Sequence, residues 1–254
     1  MSDKKAFIIS GGAVDLDFAA RFLSENRRDS DMLIAADQGL FACEKLGMKP
    51  QALVGDFDTA GRKCLEPYRN DPDVEMRLFR AEKDWTDTEM AAELAMEKGC
   101  IEIVLLGGTG TRIDHVLGNI QVLALAMSRG VPMIMVDPHN RIHMHNHPFT
   151  MKKSEQYGHY VSLFACGGDV QGLTLRGFRY EVENFTLGSI GSRAVSNEIA
   201  EEEACVEFRG GRLLVIESRD RRSMQRIKTK GNSGLFNERA VYNKDERGQY
   251  SWIR

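Results

Sequence analysis

Residues 86–136, TDTEMAAELAMEKGCIEIVLLGGTGTRIDHVLGNIQVLALAMSRGVPMIMV, read as helix, strand, glycine loop, helix and strand in that order. Met90, Ala91, Leu94 and Ala95 recur at spacings of one, three and four, which puts them on one face of a helix over 86–98. Thr86 or Asp87 caps its start and Gly99 ends it. The apolar runs 101–106 and 132–136 read as buried strands on either side of a second helix over 114–128. Strands alternating with helices argue a parallel sheet with helices on its faces. In such sheets ligands bind beyond the carboxyl ends of the strands.

The alternation continues towards the N-terminus. Runs 6–10, 32–36, 52–54 and 74–79 read as buried strands, and 15–26 and 40–46 as helices. After Pro138 helical periodicity stops. Short apolar runs at 141–145, 159–165, 173–175, 204–208 and 213–217 follow, with turns at Gly167-Gly168, Gly188 and Gly210-Gly211. The expected organisation is an α/β (Rossmann-like) parallel-sheet domain over 1–138 and an all-β sandwich domain over 139–220. Residues 221–254 read as a polar extension.

The formal net charge of −3 over 254 residues gives no global basic footprint for nucleic acid. No apolar run is long enough to span a bilayer, and the start Met1-Ser2-Asp3-Lys4-Lys5 has no signal-peptide layout. Cys43, Cys64, Cys100, Cys166 and Cys205 are scattered without a C-x-x-C pair, the pattern of reduced core thiols. A cytoplasmic protein is the expectation.

Three acidic clusters carry the chemistry: Gly55-Asp56-Phe57-Asp58, Asp84-Trp85-Thr86-Asp87 and Arg112-Ile113-Asp114-His115. Each sits where a strand-like run gives way to a polar or helical one. On parallel neighbours they share one sheet edge, where five carboxylates repel unless a cation lies between them. Hard divalent ions such as Mg²⁺ take oxygen ligands and complete their shell with substrate phosphates. The pattern therefore suggests phosphoryl or pyrophosphoryl transfer on a nucleotide. Each piece also has an ordinary structural explanation. Asp56 suits an Asx-turn, and Asp84 and Asp87 suit a first helical turn. Lys83 opposes the dipole at a helix start and makes more sense as a phosphate contact. Gly107-Gly108-Thr109-Gly110-Thr111-Arg112 is neither a P-loop nor a dinucleotide fingerprint, but its amides and Arg112 suit a phosphate. Asp37-Gln38-Gly39 suits either a ribose or base contact or the capping of the next helix. His143, His145 and His147 alternate, and a solvated hairpin face is expected there rather than a metal site.

Taken together, Ala36-Asp37-Gln38-Gly39, Leu46-Gly47-Met48-Lys49-Pro50 and Val54-Gly55-Asp56-Phe57-Asp58-Thr59 resemble the opening half of thiamine pyrophosphokinases. Lys83-Asp84-x-Thr86-Asp87 and Gly107-Gly108-x-Gly110-x-Arg112-x-Asp114-His115-x-x-x-Asn119 are similar to the next blocks of that family. Val195-Ser196-Asn197-Glu198 and Gly211-x-Leu213-Leu214-Val215-Ile216 are similar to its C-terminal signatures. The resemblance implies transfer of the pyrophosphoryl group of ATP to thiamine, giving thiamine diphosphate and AMP, with Mg²⁺. It also implies a homodimer whose active cleft lies at the subunit and domain junction. By the same resemblance, Asp56, Asp58 and Asp87 hold the metal, and these three with Arg112 and Asp114 are the catalytic set. Asp37, Lys83, Thr109, Arg112 and Asn119 then contact ATP, and Asp114, His115, Ser196 and Asn197 contact thiamine. Gln38 departs from a glycine frequent in the family. A sandwich tryptophan packs on thiamine in some members; with only Trp85 and Trp252 here, Phe178, Tyr180 or Phe185 is expected to stand in.

Two rival readings stay open on the residues alone. A strand-end Asp-x-Asp also serves haloacid-dehalogenase-like phosphatases, although Thr59 directly follows the second aspartate here. A regulator that holds Mg-nucleotide without turnover would use the same cluster.

Overall fold

A computed structural model describes residues 3–57, 61–79, 84–220, 242–244 and 250–252. Strands β1 (Lys5–Ile9), β2 (Met32–Ala36), β3 (Ala52–Gly55), β4 (Glu75–Leu78), β5 (Glu102–Leu106) and β6 (Met133–Val136) pair in parallel in the order β4-β3-β2-β1-β5-β6. The chain steps outward from β1 to β4, then returns to lay β5 on the other side of β1. The strand order thus reverses between β1 and β5, where the carboxyl ends of a doubly wound sheet leave a crevice.

Helices α1 (Leu16–Asn26) and α2 (Gly39–Lys45) cover one face of this sheet, packing Leu23 and Leu40 with Phe7, Ile9 and Leu33. Helices α3 (Asp87–Glu97) and α4 (Ile113–Ser128) cover the other, packing Leu94 and Leu123 with Ile8, Ile34 and Leu105. Cover on both faces explains why β2 is buried along its whole length and reads as an unbroken apolar run. The expectation of a buried strand at 74–79 needs correction. β4 is the sheet edge, paired only with β3, and is half-buried to exposed.

The sheet does not stop at Pro138. Strand β7 (Asn140–His145) folds back antiparallel on β6, and β13 (Leu213–Ser218) and β9 (Tyr160–Ala165) extend it to nine strands. Strands β8 (Phe149–Lys152), β10 (Val170–Arg176), β11 (Val182–Leu187) and β12 (Glu203–Glu207) form a separate antiparallel sheet in the order β11-β10-β12-β8. Val161, Leu163, Leu213 and Val215 of the large sheet share a core with Leu173, Leu175 and Val206 of the small one. The molecule thus combines a mixed α/β sheet with an antiparallel β sheet. β8 and β11 are additions to the runs expected from sequence.

Residues 221–254 form a second unit, in which β14 (Tyr242–Lys244) pairs antiparallel with β15 (Tyr250–Trp252). Most of the extension, like Asp58 and Lys83, lies outside the described residues. Among the described residues no helix is long and apolar enough to cross a membrane.

Candidate active site

The β1–β5 crevice is a cavity of about 420 Å³. Its floor is two glycine turns in contact. Ser10 donates its backbone N–H to the Leu106 carbonyl at 2.9 Å, which keeps β1 and β5 in register to their last residues. Beyond that point Gly11-Gly12 and Gly107-Gly108 turn the chain. A Cβ on Gly12 would collide with the Gly107 carbonyl oxygen, and one on Gly107 would lie 2.7 Å from the Ser10 carbonyl oxygen. Gly107 also takes φ 73°, where a side chain is strained. Asn119, buried on α4, donates from Nδ2 to the Gly108 carbonyl at 2.9 Å and pins the second loop to the helix.

The walls are acidic. Asp37 follows β2 and Asp56 follows β3, and both line the cavity. Asp37 adopts φ 46°, a left-handed conformation that Asp tolerates better than most residues. Its N–H donates to the Val54 carbonyl at 2.9 Å, and its Oδ2 faces Gly11. Asp87 enters from the opposite side on the first turn of α3, with Thr86 capping that helix by accepting the Glu89 N–H at 3.2 Å. An Asp87 oxygen lies 3.3 Å from where a Cβ on Gly55 would stand, so that glycine makes room for the carboxylate. The start of α3 is fixed to β1 by a buried hydroxyl pair, Ser10 Oγ and Thr88 Oγ1 at 2.8 Å.

Arg112, before the first turn of α4, lines the cavity together with His115. Its guanidinium pairs with Asp114 at 2.6 Å, and both side chains are exposed. That hydrogen bond and charge hold the Asp114 carboxyl down to about 2. Asp114 is therefore a carboxylate paired with the Arg112 guanidinium.

The fold brings Asp37, Asp56, Asp87, Arg112, His115 and Asn119 to one cavity. Asp114 reaches it through Arg112, whereas Thr109 does not line it. Sequence reasoning passed over Gly11-Gly12, Ser10 and Thr88. The available signal was a glycine pair directly after the first buried strand.

Ser196 and Asn197 lie elsewhere. Asn197 lines a separate, mostly apolar pocket of about 260 Å³ with Leu173, Tyr180, Phe185 and Arg193. Its side chain is committed to the backbone. Oδ1 accepts the N–H groups of Tyr180 at 3.0 Å and Glu198 at 2.9 Å, and Nδ2 donates to the Tyr180 carbonyl at 2.8 Å. Ser196 is exposed with φ 60°, its N–H donating to Ser162 Oγ at 3.0 Å. Phe178 is buried in the core of the small sheet, which removes it as an aromatic platform. Tyr180 and Phe185 line the pocket, and each ring carries a guanidinium: Arg179 at 5.4 Å and Arg193 at 4.5 Å from the centroids.

The histidine alternation is not a solvated face. His143 and His145 share a face of β7 as expected, but His143 bonds to His145 at 2.8 Å and to the buried Glu217 at 3.3 Å. His145 also stacks on Phe149, with centroids 3.9 Å apart. Arg141 closes the network with two bonds to Glu217, at 2.6 and 2.9 Å.

Residues 23–135 match the family model for the thiamin pyrophosphokinase catalytic domain, and residues 146–213 match that for the thiamin pyrophosphokinase vitamin B1 binding domain. The thiamine pyrophosphokinase of Bacillus subtilis is 32% identical over 189 residues, covering 74% of this chain and 87% of that protein. Thiamine pyrophosphokinase 1 of Oryza sativa is 24% identical, with 62% of each chain covered. The crystal structure of the Bacillus subtilis protein superposes with a TM-score of 0.75 at 28% identity, over 85% of this chain and all of that one. Yeast thiamin pyrophosphokinase shares the fold at 14% identity, with a TM-score of 0.70 over 86% of this chain and 87% of that one.

Proposed function

Because the chain belongs to the thiamine pyrophosphokinase family, and so transfers the pyrophosphoryl group of ATP to thiamine, we propose a role for each part of its two cavities. The crevice between β1 and β5 takes the polyphosphate of ATP, with the backbone amides of the two glycine turns facing the phosphates. Asp56 and Asp87 hold Mg²⁺, together with Asp58. Their fit to that ion rests on the donor set: hard oxygens from two elements converge on one cavity, and Mg²⁺ uses one or two carboxylates plus substrate phosphates. Among the described residues no group of three or more His, Cys, Asp or Glu is placed to hold a metal ion by itself. When bound, the ion neutralises phosphate charge during transfer.

The acceptor hydroxyl of thiamine gives up its proton as it attacks the β-phosphorus, the bond from that phosphorus to the α–β bridging oxygen breaks, and AMP leaves with the oxygen. Arg112, aimed by Asp114, faces the charge that develops on the phosphoryl oxygens, and Lys83 is a second cation for the same charge. The apolar pocket under Tyr180 and Phe185 receives the thiamine rings, beside Ser196 and Asn197. The two aromatic rings lining the pocket support that reading, since an aromatic face attracts a thiazolium cation.

The two cavities share no lining residue, and this separation supports a homodimer in which one subunit's thiamine pocket meets its partner's nucleotide cavity. Exposed Trp85, Ile113 and Leu117 offer apolar surface on the nucleotide half, and Tyr180, Ile190 and Val195 on the other. The proposed organisation is a Rossmann-like domain over 1–138, a sandwich over 139–220 and an extension over 221–254, in a cytoplasmic enzyme. The observation that carries the reading is the convergence of Asp56, Asp87 and both glycine turns on one cavity. Its test is AMP formation from ATP. The rate should depend on thiamine and on Mg²⁺, and AMP release that ignores thiamine would overturn the reading. The related proteins lend no support to a phosphatase or a silent regulator.

A further inference from the structure

Beside the nucleotide cavity, and sharing Ser10, Gly11, Gly12 and Gln38 with it, lies a second cavity of about 260 Å³ over α2. Its far side changes character, to Val14, Leu16, Phe41 and Ala42 with a single cation, Lys45. Helix α2 turns Leu40 and Cys43 into the core and leaves Phe41 37% exposed, so the ring faces this cavity at the surface. An exposed phenylalanine alone is ordinary. One that lines a hollow continuous with a phosphate-facing glycine turn has a specific use. A nucleotide is polar at its phosphates and flat and aromatic at its base, and the floor changes from glycine amides to an aromatic ring in that order.

We infer that the adenine ring of ATP stacks on Phe41 in this cavity, with the ribose passing Gln38 towards the phosphates over Gly12 and Gly107. The assignment rests on the reading of the main cavity as the polyphosphate site. Gln38 occupies the N-cap of α2 without a side-chain capping bond, which leaves its carboxamide, an NH2 donor group and a carbonyl acceptor, on the border between the two cavities. Gly39 fixes the arrangement. A Cβ there would collide with the Ile9 carbonyl oxygen, so α2 can start this close to β1 only with glycine at that position.

The test titrates the full chain with Mg-ATP and, separately, with Mg-tripolyphosphate, which has no base. Phe41→Leu, which keeps bulk without a π-face, should raise the Kd for ATP about tenfold, the loss expected for one base–aromatic stack. It should leave the Kd for tripolyphosphate unchanged. Phe41→Tyr keeps the ring and should bind ATP like the parent chain, which separates loss of the stack from loss of the fold. ATP affinity unaltered in Phe41→Leu overturns the inference while the phosphate reading stands. A parent chain that binds neither ligand overturns both.

Discussion

Ser10, directly after β1, and Thr88 in the first turn of α3 share a buried hydrogen bond, Oγ to Oγ1 at 2.8 Å. It links the strand that leads into the first glycine turn to the helix that carries Asp87. The start of α3, which places the Asp87 carboxylate over Gly55, is therefore tied to β1 through two small hydroxyls that also line the cavity.

Thr88→Val removes one partner and leaves the Ser10 hydroxyl buried and unpaired. It should cost about 1–3 kcal/mol in urea unfolding. Turnover should fall as well, because the first turn of α3, which carries Asp87, loses its tie to Ser10. Unchanged stability would show that the pair is replaceable by water.

The glycine floor makes a sharper prediction. Gly12→Ala should abolish nucleotide binding, since its Cβ would collide with the Gly107 carbonyl oxygen. Gly118, inside α4 with nothing within 4 Å of an added Cβ, is the control. Gly118→Ala should raise stability by about 0.5–1 kcal/mol. Calorimetric titration and thermal melting read the two variants. Equal behaviour would mean that the tight approach of the two turns is not required.

Much of this was legible beforehand, and the gaps have physical causes. Residues 86–136 read correctly because two amphipathic helices bracket strands buried on both faces, so period and length agree. Gly11-Gly12 was missed because glycine advertises no chemistry; its contribution is the absence of a Cβ against Gly107. β11 was missed because Val182–Leu187 is an edge strand, largely exposed, with Asn184 at φ 49° breaking the alternation. The histidines misled for the opposite reason. Alternation placed His143 and His145 on one face, but only tertiary structure brings Glu217 from β13 beneath them.

That network predicts acid lability. Burial would raise the Glu217 carboxyl, but bonds from His143, Arg141 and the Tyr157 N–H outweigh it and hold it at about 2, against 4.5 ordinarily. Burial, then the neighbouring His143 and His147, pushes His145 down to about 3 from 6.5. In both cases the unfolded chain takes up protons first as pH falls. His145 therefore costs stability from about pH 6.5 downward, and Glu217 from about 4.5 towards 2. Glu217→Gln should lose about 2–3 kcal/mol at pH 7, less than the full penalty of a broken buried pair because the Arg141 side chain is 30% exposed. It should also flatten the pH dependence below 4.5. An unaltered slope in denaturation measured between pH 3 and 7 would remove Glu217 from the account.

Ser196 and Asn197 should separate. Asn197→Ala strips three bonds from the turn around Tyr180 and should lower the melting temperature. Ser196→Ala leaves the backbone bond to Ser162 intact and should weaken thiamine binding without changing the melting temperature. Titration with thiamine beside a thermal melt distinguishes them. A stable Asn197→Ala variant that has lost only thiamine affinity would contradict the structural role of that side chain.

The central claim is that carboxylates from β3 and α3 act together on a metal–nucleotide in one crevice. Thiamine-dependent AMP formation by Asp56→Asn and Asp87→Asn, measured across a Mg²⁺ titration, tests it most directly. Each variant should turn over roughly 10²-fold more slowly, or worse, as when a positioned electrostatic group is lost. Each should also need more Mg²⁺ for half-maximal rate. Turnover and Mg²⁺ dependence like the parent's in both variants would contradict the account.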